Sequence, residues 1–117
     1  MRSIISAIGT SNPSNKFTQT QIFEFMKDAH QLDPQNARRL HKLYQVSGIA
    51  HRHSVLDDFG LPKGGYQFFG NKDGLEPFPT TAQRGVIFQK HALKLALQAI
   101  EDCVSQLNSF DIKKKSK

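Results

Sequence analysis

The sequence predicts an α/β chain that is largely helical, with one or two short strands. Three observations carry that reading. Apolar residues recur at helical spacing behind three sets of capping residues, headed by Thr18, by Asp33 and by Thr80 or Thr81. One short Ile-rich run, residues 4–8, is closed by Gly9, the pattern of a buried strand. The composition, 38% hydrophobic and 22% charged over 117 residues, is ordinary for a single soluble domain and too apolar for general disorder.

The elements follow in order. After the Ile run, residues 10–16 are rich in turn formers. Thr18 is a natural N-cap, and Gln21 stands where a capping box places Glu or Gln. Ile22, Phe23, Phe25, Met26 and Ala29 then form the apolar face of a first helix ending near His30. Asp33 caps a second helix, with Pro34 in the favoured first position. That helix runs to about Gln45 with Ala37, Leu40, Leu43 and Tyr44 inward, and Ser47 and Gly48 stop it. Residues 49–56 read as extended. Residues 59–79 are rich in Gly and Pro and form an excursion; Phe68, Phe69, Leu75 and Phe78 predict that it packs down. A third helix runs from Thr80 or Thr81 to about Leu107, apolar around much of its circumference, so it needs neighbours on more than one side. A basic tail, residues 110–117, closes the chain.

No apolar run approaches the ~20 residues that span a bilayer. The start, MRSIISAIG, lacks a long apolar core and reads as a strand, not a signal peptide. One Cys makes no internal disulfide, so a reducing cytoplasm is the expected compartment. The net charge of +6 gathers at Arg38, Arg39, His41 and Lys42, at His51, Arg52 and His53, and in the tail. A basic balance suits phosphate-bearing ligands, including coenzyme A and nucleic acids, and equally describes a solvated surface. Nucleic acid is the less favoured partner, because no aromatic residues interleave with the basic clusters and no recognition motif is present.

The candidates for chemistry are few. Cys103 falls near the C-terminal end of the third helix, where the dipole disfavours a thiolate, and reads as structural. His51 and His53 alternate as on one strand face, but no further ligands stand at metal-binding spacing, so no metal site is expected. Asp57 and Asp58 mark a turn, as does the run Asn71-Lys72-Asp73-Gly74. Arg39 and Lys42 stand three apart on one side of a helix. Together they can hold a phosphate, or they are part of an ordinary solvated face.

One set of residues carries a resemblance. Leu43-Tyr44-Gln45-Val46-Ser47-Gly48-Ile49, followed by Arg52 and His53, resembles the junction found in chalcone synthase-like and ketoacyl synthase III-like enzymes. The order and spacing of Ala7-Ile8-Gly9-Thr10, Asn12-Pro13, Pro77-x-Pro79-Thr80 and Ile100-Glu101-Asp102 agree. Nearly the whole chain is thus similar to the N-terminal part of a type III polyketide synthase. The resemblance implies the N-terminal portion of a thiolase-like fold, from a homodimeric acyltransferase that condenses acyl-coenzyme A with malonyl-coenzyme A. It implies coenzyme A thioesters as substrates, with no covalently bound cofactor. It places Arg39 and Lys42 on two of the basic positions that meet the nucleotide phosphate; a third, one turn later, is Val46 here. In that family the catalytic Cys, His and Asn come later than Lys117. The expectation is therefore an incomplete domain over residues 1–117, supplying scaffold and part of the coenzyme A entrance. No residue in it is expected to be catalytic, and self-association is expected. A standalone binding or dimerisation module and a small basic nucleic-acid binder are the alternatives.

Overall fold

Thr18 ends a strand and caps a helix in one residue. The computed structural model describes residues 2–107. Their order is β1 (Asn15–Thr18), α1 (Gln19–Ala29), α2 (Pro34–Val46), β2 (His51–Ser54), short 3-10 turns at Asp58–Gly60 and Asp73–Leu75, and α3 (Thr81–Ser105). These residues divide into two units, Pro13–Gly85 and residues 2–12 with 86–107.

In the Pro13–Gly85 unit, β1 and β2 pair antiparallel with Asn15 opposite Ser54 and Thr18 opposite His51. Only the four residues of β2 are paired, so the extended reading of residues 49–56 shortens to its middle. The capping box at α1 forms as predicted. The Thr18 hydroxyl accepts from the Gln21 amide, and the Gln21 side-chain oxygen accepts from the Thr18 amide. α1 then buries Ile22, Phe23 and Phe25, which with Phe17 of β1 are the buried apolar residues of the unit. Each is worth about 1.5–3 kcal/mol of transfer free energy.

α2 packs on α1 through ring contacts. Phe23 lies 4.8 Å from the His41 ring and 6.5 Å from Tyr44. The inward side of α2 is therefore Ala37, Leu40, His41 and Tyr44, all half-buried. Leu43, predicted to face inward, is 62% exposed instead. His41 takes the place beside Phe23 because an imidazole ring offers a flat packing face while keeping a polar edge wet.

The Gly/Pro-rich excursion is tied down twice. Its aromatic residues gather around Phe25, with Phe59 at 4.7 Å, Tyr66 at 5.4 Å and Phe69 at 5.6 Å. Its backbone is held by the Asp58 carboxylate, which accepts from the amides of Gln67 (2.9 Å), Phe68 (2.9 Å) and Phe69 (2.7 Å). Asn71 adds a local clasp, exchanging two hydrogen bonds with the Tyr66 backbone. Phe68, Phe69 and Leu75 are half-buried as predicted; Phe78 stays 49% exposed.

In the other unit the N-terminal residues run along α3. The expected strand at residues 4–8 does not form, and Ile4 and Ile5 are 82% and 81% exposed. A strand needs a neighbour to complete its hydrogen bonds. Here side chains of α3 and the residue after it meet the segment instead. The Thr10 amide donates to Asp102, the Ser11 hydroxyl to Gln98, and Gln106 donates to the Ile8 carbonyl. Gly9 allows the close approach: a methyl there would run into the Ala99 carbonyl and lie 2.6 Å from the Cys103 Cβ. α3 starts behind a second box, Thr80 with Gln83, and ends at Ser105 instead of Leu107. Among the described residues nothing covers it fully; Phe88, Leu93, Leu97 and Ile100 are half or more exposed. The predicted basic tail, residues 110–117, lies outside the described residues.

Candidate functional site

α2 positions the two cations singled out in the sequence. Asp33 opens the helix with its carboxylate accepting from the Asn36 side chain at 2.6 Å, and Pro34 fixes the first turn. Helical spacing then sets Arg39, Lys42, Leu43 and Val46 along one stripe. These four side chains line an open concavity of about 380 Å³. Arg39 and Lys42 are exposed, and among the described residues neither enters an ion pair. Leu43 and Val46, 62% and 70% exposed, form an apolar ledge beside them. The stripe thus offers two unneutralised donors and a hydrophobic shelf. Such a surface suits an anion carried on a partly apolar body, with Arg39 able to bind two oxygens at once. Arg38, on the same helix, is also exposed.

The other basic cluster is divided by the strand pairing. His51 and His53 are exposed on β2, with Thr18 and Lys16 as their register partners. Arg52 lies 5.3 Å from the Tyr44 ring, a cation–π contact that ties β2 to α2. Among the described residues no three His, Cys, Asp or Glu side chains converge to hold a metal ion. Cys103 is half-buried near the end of α3, against Gly9. That is a packing environment, near the helix end whose dipole disfavours a thiolate.

Sequence reasoning missed the deepest polar residue. Asp58 is 1% exposed and holds three backbone amides, whereas its neighbour Asp57 is exposed and accepts from the Asn15 side chain at 2.7 Å. Adjacent carboxylates look alike in sequence; the difference lies in which faces the later Gln67–Phe69 backbone. Beyond it, Lys63 and Asp73 form an exposed ion pair at 2.9 Å. Through that hydrogen bond Lys63 holds the Asp73 carboxyl below its ordinary range, and Asp73 holds the Lys63 ammonium above its own.

No protein-family model matches the chain, and no curated protein matches it. Among solved structures, the chain is similar to the crystal structure of PKS-I from the brown alga Ectocarpus siliculosus. The match has 19% identity and a TM-score of 0.66, and covers 88% of this chain and 27% of that one. The chain therefore spans about a quarter of the length of the protein it matches. At that identity the likeness is one of fold, and it shows that this stretch of backbone follows part of a PKS fold.

Proposed function

We propose that this chain is the N-terminal portion of a thiolase-like acyltransferase of the type III polyketide synthase kind, one that condenses acyl-coenzyme A with malonyl-coenzyme A. In this reading its residues supply scaffold and part of the coenzyme A entrance. The acyl-accepting thiol belongs elsewhere in the enzyme, because Cys103 is built for packing. The observation that carries the reading is the α2 stripe. Arg39 and Lys42 stand exposed and, among the described residues, without an ion pair, beside an apolar ledge, on the helix that the sequence resemblance assigns to the nucleotide phosphate. The shared PKS fold supports it. Two donors hold a phosphate, and Leu43 and Val46 shelter the less polar part of the same ligand.

Isothermal titration of the full chain with coenzyme A tests this. Saturable binding is expected, weakened about tenfold or more by Arg39→Ala and by Lys42→Ala, a loss of ~1.4 kcal/mol or more each. Val46→Lys is expected to strengthen it. An absence of binding, or binding indifferent to both alanine substitutions, overturns the reading. Steeply salt-dependent binding of DNA or RNA with no coenzyme A effect transfers the stripe to nucleic acid.

A second reading rests on a different observation. Ile4, Ile5, Phe88, Leu93, Leu97 and Ile100 are exposed apolar side chains in one unit of the chain, and a second copy could cover them. As a dimerisation module, the chain would sediment as a dimer, and Phe88→Glu with Leu93→Glu would return it to monomer. A monomer at all concentrations sinks that reading.

A further inference from the structure

α1 and the segment after β2 line a second open concavity, of about 440 Å³, within the Pro13–Gly85 unit. That volume lies in the range of small-molecule sites. Its apolar part is aromatic. Phe25 sits between Phe59 and Tyr66, both of which meet it edge to face, at interplanar angles of 64° and 63°. Its polar part comes from α1, where Glu24 and Asp28 stand one turn apart on the same side.

Two carboxylates and one ammonium group line the concavity. Lys63, the one cation lining the concavity, is held by Asp73 at 2.9 Å. Glu24 is paired with Lys27 at 2.7 Å. Asp28 has no ion-pair partner within 4 Å among the described residues, although Lys27 and Lys63 both lie within reach of its field. Its field reaches the opposite wall: the Tyr66 hydroxyl is pushed up first by burial and then by the Asp28 carboxylate. A chain of net charge +6 thus carries one concavity with an excess carboxylate beside aromatic rings. This site shares no residue with the α2 stripe and does not depend on what that stripe binds.

We propose that this concavity binds a small organic cation, an amine carried on an aromatic body, with its ring against Phe59 and Tyr66 and its ammonium group held by Asp28. The ring adds a further edge-to-face contact to the aromatic cluster. The ammonium neutralises the remaining carboxylate and lies close enough to the rings for a cation–π contribution. An anion lacks a partner there, and a neutral molecule leaves Asp28 without one.

Phenethylamine, phenethyl alcohol and phenylacetate share one ring and differ in charge. Each is titrated into the ¹⁵N-labelled full chain while amide shifts are followed. The expected result is saturable shifts at Asp28, Leu61, Lys63 and Tyr66 with the amine, at least tenfold weaker with the alcohol and absent with phenylacetate. Asp28→Asn, an exposed substitution that leaves the fold's contacts in place, is expected to weaken amine binding about tenfold or more. The proposal is overturned if the amine leaves those amides unmoved, if the alcohol binds as well as the amine, or if Asp28→Asn changes nothing.

Discussion

Asp58 shows how far one side chain can organise its surroundings. Its carboxylate reaches amides nine to eleven positions later and satisfies three donors that the turn-rich segment could not pair within itself. Hydrogen bonds to a charged acceptor are worth about 1.5–3 kcal/mol each, and orphaned buried amides cost comparably. Asp58→Ala is therefore expected to destabilise the chain by at least about 3 kcal/mol, and Asp58→Asn by somewhat less, because one carbonyl oxygen survives. Asp57→Ala, which removes one exposed contact, is expected to stay within about 1 kcal/mol. Urea midpoints of the three variants check this, and equal losses at 57 and 58 would remove the special role of Asp58. Nothing in the sequence separated these neighbours. The basic pair Arg39 and Lys42 was visible because its geometry is local to one helix. The concavity around Asp28 and Tyr66 was not, because its walls come from segments far apart in the chain.

The legibility of each element followed the range of the interactions that fix it. Both capping boxes, Thr18 with Gln21 and Thr80 with Gln83, were readable because partner and cap lie within one turn. Thr18→Ala is expected to cost about 1 kcal/mol of stability by removing the hydroxyl that caps α1. A thermal melt unchanged by Thr18→Ala would show that the β1–β2 pairing alone sets the start of α1. The run at residues 4–8 has a strand's composition but no strand beside it among the described residues, so side chains near the end of α3 satisfy part of its backbone. On α2 the equation of apolar with inward failed at Leu43. Phe23 selected the His41 and Tyr44 side of the helix, and Leu43 and Val46 were left facing out. Exposed apolar residues of this kind are informative when they gather beside charge.

At the scale of the molecule, the buried apolar residues Phe17, Ile22, Phe23 and Phe25 all belong to the Pro13–Gly85 unit, and α3 has none. Local stability follows buried contact. Amide hydrogen exchange is therefore expected to be slowest in α1 and at least tenfold faster in α3 beyond Val86. Equal protection in the two would mean that α3 has found a covering that these residues do not supply. One further property follows from the contact at Gly9. The segment lies so near α3 there that only a hydrogen fits, and the Cβ of Cys103, the chain's one cysteine, sits beside it. Cys103 is half-buried, so lifting of that segment is expected to speed its reaction with a thiol-modifying reagent. A labelling rate raised by Thr10→Pro, which removes the amide held by Asp102, would report that lifting with no added probe.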